Sequence, residues 1–186
     1  VEKTFAPKLA AHRDAILLNA ALFARVRSLH EARTGLSLDP ESARLLDETY
    51  KAFVRAGARL SETEKTKLKA LNAAIASAET AFSQNVLKER TASAVYFNDR
   101  AALAGLSEAE ITAAAELAKS TGHAGQFALA LVNTSGQPAL TSLTDRTSRE
   151  LVLRASLARG SRGGEFDNRA HVATLARLRA ERAALL

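Results

Sequence analysis

Apolar residues recur at Leu68, Leu71, Ile75, Ala78, Phe82 and Val86, in steps of three and four that keep one face of a helix apolar. No Gly or Pro interrupts Ser61–Arg90, and Ala, Lys, Glu and Leu fill its other positions. Ser61 followed by Glu64 is a capping-box signature: the hydroxyl accepts an amide of the first turn while the carboxylate reaches back to the serine N–H. The pattern predicts a helix of about 45 Å at 1.5 Å per residue. A helix that long exceeds the width of a small domain, and it is expected to serve as the spine on which its neighbours pack.

The preceding chain reads as three shorter helices. Pro7 stands early in the first, Phe5–Asn19. Asn19 is a suitable N-cap for the second, whose stripe is Leu22, Phe23, Val26 and Leu29, with Gly35 ending it. Asp39–Pro40 opens the third, which carries Leu45, Leu46, Tyr50, Phe53 and Val54 and stops at Gly57. Short polar links between them predict antiparallel packing in a bundle.

The period changes after Thr91. Ser93–Phe97 is β-branched and aromatic, Gln126–Asn133 is a second strand-like run, and a helix opened by Ser107–Glu110 lies between them. Two strands, about 92–97 and 126–133, predict a small ribbon that needs helices to dock on. Ala139–Leu143 reads as a short helical turn. Thr144–Asp145 caps a helix to about Arg159 with Leu151, Leu153 and Leu157 apolar. The Gly-rich segment Arg159–Asn168 is a loop. Asp167 or Asn168 then caps a last helix bearing Val172, Leu175 and Leu178. The fold class expected is mostly α: a helical bundle around a long central helix (about 61–90) with a two-stranded β ribbon.

Composition sharpens this picture. The apolar content is 47% but only 5% is aromatic, and Ala and Leu dominate, as close-packed helices require. There is no cysteine, so disulfides and thiolate metal sites are excluded. That fits the cytoplasm and leaves the periplasm open. No apolar run approaches the ~18 residues of a membrane helix. The 186 residues contain no methionine, and the chain opens and closes inside helical patterns. It is therefore expected to be a single segment of a longer protein.

A net charge of +6 and a pI near 10 raise the alternative of a basic helical interaction module for nucleic acid or a protein partner. The basic residues are interleaved with Asp and Glu, however, and few aromatics are present to stack on bases. The favoured reading therefore includes neither nucleic acid nor membrane among the partners, and leaves the oligomeric state open.

The chemistry-bearing residues form no recognisable machinery. His12, His30, His123 and His171 are far apart in sequence. His30–Glu31 begins like a zinc-binding His-Glu-x-x-His helix, but Thr34 stands where the second imidazole is needed. His30 then reads as a helix-surface residue. The carboxylate pairs Glu62/Glu64 and Glu108/Glu110 lie in first turns, where acids favour the positive end of the helix dipole. Gly160, Gly163 and Gly164 follow a helix rather than a strand, the wrong context for a phosphate cradle. No catalytic, cofactor-binding or metal-binding residue is assigned.

Several stretches nevertheless resemble a known family. APKLAAHRDAILLNAALFARV (6–26), LDPESARLLDETYKAFVRAGARLSE (38–62), LKALNAAIASAETAFSQNVL (68–87), LAGLSEAEI (103–111), QPALTSLTDRTSRELVLRAS (137–156) and LARLRAERAALL (175–186) are similar to the N-terminal region of the thimet-oligopeptidase family of zinc metallopeptidases. The wording is closest to its bacterial peptidyl-dipeptidase (dipeptidyl carboxypeptidase) branch. The resemblance implies a two-lobed helical enzyme acting on short peptides in a deep channel, with zinc on a His-Glu-x-x-His helix of the parent. That motif is not found in this sequence. What the resemblance implies for this chain is a lobe without catalytic residues, which helps wall the channel and is inactive and zinc-free on its own. Its partners would be short peptides and the catalytic lobe of the same chain.

Overall fold

The computed structural model describes residues 2–132 and 136–186, with only the backbone of Thr91. Among them are eight α-helices and one antiparallel two-stranded sheet. These residues sort into two compact units: 1–81 with 171–186, and 82–170.

The first unit begins with α1 (Glu2–Leu17), which contains Pro7, and α2 (Ala20–Glu31). Asn19 caps α2 as expected, its carboxamide oxygen accepting from the Leu22 amide at 2.9 Å. This helix stops at Glu31, short of Gly35, and Arg33–Gly35 forms a separate 3-10 turn. The Arg33 guanidinium donates to the His30 carbonyl at 2.6 Å, so side-chain capping does the work expected of the glycine. Asp39 caps α3 (Pro40–Arg55), accepting from the amides of Glu41 and Ser42.

Gly57 closes α3 with φ +99°. Its amide donates to Val54 O and that of Ala58 to Phe53 O, both at 3.0 Å, the paired bonds of a Schellman ending that needs a residue without Cβ. Phe23 from α2 packs with Phe53 and Ala58, flanked by Leu17, Val26, Tyr50 and Val54. The exposed positions on these stripes are Leu22, Leu29 and Leu45.

The long helix α4 runs Glu62–Ala92, 31 residues or about 46 Å. Its cap is the expected reciprocal pair: Ser61 N donates to Glu64 Oε2 at 2.9 Å and Glu64 N to Ser61 Oγ at 3.3 Å. The buried positions are not all apolar. Lys65, Thr80 and Glu89 are buried alongside Leu68 and Ile75. The helix outlasts the expected end by two residues, and this shortens the first strand.

In the second unit β1 (Val95–Phe97) pairs antiparallel with β2 (Phe127–Leu129), with Tyr96 opposite Ala128. The ribbon is shorter than the 92–97 and 126–133 of the sequence reading. Its second strand ends early because the Gln137 side chain occupies both backbone groups of Val132, accepting from the amide at 2.9 Å and donating to the carbonyl at 3.1 Å. Asn133 lies outside the described residues. The ribbon does dock on helices. Phe97 joins Leu103, Ile111, Ala114, Leu131, Leu143 and Val152 in one buried cluster, with Val95, Phe127 and Leu129 packed against it.

Those helices are α5 (Glu108–Ser120), α6 (Ala139–Ser142) and α7 (Arg146–Leu157). Ser107 and Glu110 complete a capping box on α5, and Asp145 caps α7 through the Ser148 amide. On α7 the apolar expectation fails. Leu151, Leu153 and Leu157 are exposed, and the buried face is Ser148, Val152 and Ser156. Small hydroxyls can line a tight helix face when they are bonded, and Ser156 Oγ accepts from Gln137 Nε2 at 3.0 Å.

The glycine-rich loop is held by side chains: buried Glu89 accepts from the Gly160 amide at 2.8 Å and pairs with Arg162 at 3.3 Å. Asp167 accepts from the amides of Gly163 and Arg169, opening α8 (Arg169–Leu185). Asn168 is buried and bonded to Asn85 and the Phe82 carbonyl instead of capping. On α8 Leu178 is buried but Val172 is exposed.

Candidate functional site

The residues weighed in the sequence resolve into local structural roles. Glu64 and Glu110 bond their capping serines, and those bonds hold both carboxyls below the usual range. Glu62 pairs with Lys65 at 2.9 Å and is likewise lowered, and Glu108 pairs with Arg100. His30 is more enclosed than a helix-surface residue. Its ring lies parallel to that of Tyr50, centroids 3.9 Å apart, with Nε2 3.4 Å from Asp47 Oδ1. His123 leans on Tyr96 at 4.1 Å, and its Nδ1 is 2.9 Å from the Thr121 carbonyl. His12 is exposed and His171 half-buried.

A polar concavity that sequence reasoning did not flag lies within the first unit. It has a volume of about 630 Å³, inside the range of small-ligand sites. Helix α1 supplies Arg13 and Asp14 with Leu9 and Leu17, α3 supplies Arg55, α4 supplies Asn72, Ile75 and Glu79, and α8 supplies Arg182. Asn72, Ile75 and Glu79 share a face of α4 because they are spaced by three and four.

The electrostatics are uneven. Asp14 is buried and accepts from Asn72 Nδ2 at 2.8 Å. Burial pushes its carboxyl above the ordinary range, opposed by the Asn72 bond and by the positive fields of Lys69, Arg182 and Arg13. Glu79 is already matched, 2.6 Å from Arg179. The guanidiniums of Arg13, Arg55 and Arg182 form no ion pair or hydrogen bond among the described residues, and Arg182 Nε is buried without a partner. The arrangement can bind anions. The available sequence signal was Asp14, a carboxylate sitting on the Ala10–Asp14–Leu18 stripe of an otherwise apolar helix face.

Comparison with known proteins gives the chain a context. No family model matches it. Across all 186 residues it is 41% identical to the dipeptidyl carboxypeptidase of Salmonella typhimurium and 39% identical to that of Escherichia coli. The resemblance to bacterial dipeptidyl carboxypeptidases holds over the whole chain. The chain spans 27% of the length of each of these relatives. A weaker match, 27% identity over 166 residues, links 86% of the chain to 24% of the probable cytosolic oligopeptidase A of Arabidopsis thaliana.

The resemblance implies a zinc in the longer relatives. Among the described residues no three His, Cys, Asp or Glu side chains converge as a metal would need, and the histidines His30 and His123 are engaged by Asp47, Thr121 and aromatic rings. Among the same residues no helix is long and apolar enough to cross a membrane.

Proposed function

We propose that this chain is the non-catalytic N-terminal lobe of a zinc peptidase that releases dipeptides from the C-termini of short peptides, and that it helps wall the substrate channel. The observation that carries the reading is end-to-end similarity to two proteins named dipeptidyl carboxypeptidase, at 41% and 39% identity. The make-up of the lobe supports the wall role: long capped helices and two packed cores. A wall needs rigidity and excluded volume, which packed helices supply, while peptide-bond hydrolysis needs an activated water and a stabilised oxyanion.

Two measurements test the proposal. The purified chain, checked for helix content by circular dichroism and mixed with zinc and a blocked tripeptide, is expected to release no dipeptide. Release that a chelator abolishes would overturn the non-catalytic assignment. In the longer parent, a photoreactive substrate peptide held by an active-site inhibitor is expected to label this lobe as well as the catalytic part. Labelling confined to the rest of the parent would sink the channel-wall role.

The nucleic-acid branch of the basic-module alternative gains nothing from the ion pairs of the structure. Arg27–Glu31, Arg44–Glu48, Glu150–Arg154 and Arg177–Glu181 are i,i+4 pairs along helices, so much of the positive charge is locally matched rather than gathered in a stripe. Duplex DNA is expected not to bind; binding that weakens steeply with added salt would revive the alternative.

A further inference from the structure

Three arginines from three different helices, Arg13, Arg55 and Arg182, line the concavity of the first unit without an ion pair or hydrogen bond among the described residues, although Arg13 and Arg182 lie near enough to Asp14 to act on it through their fields. Other guanidiniums of the same unit are paired with carboxylates: Arg179 with Glu79, Arg177 with Glu181 and Arg44 with Glu48. The Nε of Arg182 is shut off from solvent and bonded to nothing among the described residues, and a buried donor without an acceptor is destabilising.

The walls narrow the choice of ligand. Leu9, Leu17 and Ile75 add apolar surface to the cleft beside its guanidiniums, which suits a carboxylate carried on methylenes better than a bare phosphate. Asp14 and Glu79 also face the cleft. They would repel a compact dianion placed centrally, yet tolerate a ligand whose charges are spread along a chain. The volume of about 630 Å³ accommodates two or three residues.

We propose that this cleft binds a short acidic peptide, its side-chain carboxylates on Arg13, Arg55 and Arg182 and its methylenes against Leu9, Leu17 and Ile75. The proposal rests on residues of this chain and does not depend on the peptidase reading, because it is tested by binding and not by turnover.

The test is calorimetric titration of the chain with tri-glutamate, tri-glutamine and inorganic phosphate at low ionic strength, where surface electrostatics are least screened. Tri-glutamate is expected to bind and tri-glutamine not to. Arg13→Gln and Arg55→Gln, both at exposed positions, are expected each to weaken binding about tenfold, the worth of one charge-assisted contact. Arg154→Gln, which removes the same charge from α7 of the other unit, is expected to leave affinity unchanged.

Absence of tri-glutamate binding would overturn the site. So would affinity lost equally in Arg154→Gln, which would mark a diffuse charge effect, or affinity unmoved by Arg13→Gln and Arg55→Gln. Phosphate binding as tightly as the peptide would overturn the ligand class.

Discussion

The two units differ in where their buried polar groups gather. In 82–170 most of the buried polar side chains act as fasteners, Gln126 Oε1 being buried without a partner among the described residues. Gln137 ties Val132 to Ser156, and Glu89 ties the Gly160 amide to Arg162, so each lies at the centre of satisfied bonds around a continuous apolar cluster. In the first unit the apolar cluster is smaller and aromatic, built on Phe23 and Phe53. There polar groups gather at a cleft, with Asp14 half-satisfied by Asn72 and Arg182 Nε unbonded. The lesson is that polar burial alone does not mark a site. Satisfied groups lock a fold, whereas unsatisfied groups beside a cavity leave room for a ligand.

The contrast can be broken most forcefully in the cores. Phe53→Ala is expected to cost about 3–5 kcal/mol and Leu103→Ala about 2–5 kcal/mol, read by chemical denaturation. If the units are separate cooperative blocks, amide exchange should rise chiefly in the unit that carries the substitution. Uniform loss of protection by either variant would merge the two into one.

Gln137→Ala comes next, because it strands the Val132 amide and carbonyl. A loss of about 1–3 kcal/mol is expected, and a near-neutral result would mean the polar fastener is dispensable. Ser107→Ala removes one half of a capping box and should cost about 1 kcal/mol, read as a lower midpoint with unchanged slope.

The smallest effect is expected from pH, and its sign differs between the units. Asp14 has a raised carboxyl in the folded state, so the native form takes up a proton before the unfolded one. Its contribution is unfavourable at neutral pH and is relieved as pH falls through its folded value. Asp167 is pulled far below the carboxylate range, first by its bond from the Arg169 side chain. Its contribution is present above the ordinary carboxylate value and is lost as pH falls below it. Asp14→Asn, which keeps an acceptor for Asn72, is therefore expected to raise Tm at pH 7 by about 1–3 °C and to leave less difference at pH 4. A lower Tm at pH 7 would show that the charge of Asp14 is needed in the fold.

Element by element, local chemistry was legible and burial was not. Asn19, Asp39, Ser61/Glu64, Ser107/Glu110 and Asp145 cap the helices they were expected to cap, because a cap depends on neighbours three residues away. The stripe on α7 was misread: its leucines face out while Ser148, Val152 and Ser156 face in, since close approach of neighbouring elements favours small residues over large ones. The ribbon ended early because Gln137, five residues further on and outside the strand pattern, took the backbone of Val132. The cleft was hidden because Arg13, Arg55, Asn72 and Arg182 belong to four helices and share no sequence window.

The sequence by itself determined the helices, their caps, the place of the ribbon and the likeness to dipeptidyl carboxypeptidases, all of which rest on short-range spacing or on the order of residues. Only the tertiary structure decided which faces are buried, which polar groups are satisfied and which arginines meet. Those outcomes depend on desolvation and pairing between side chains up to about 170 positions apart, Arg13 and Arg182 being the extreme, and no local pattern carries that information.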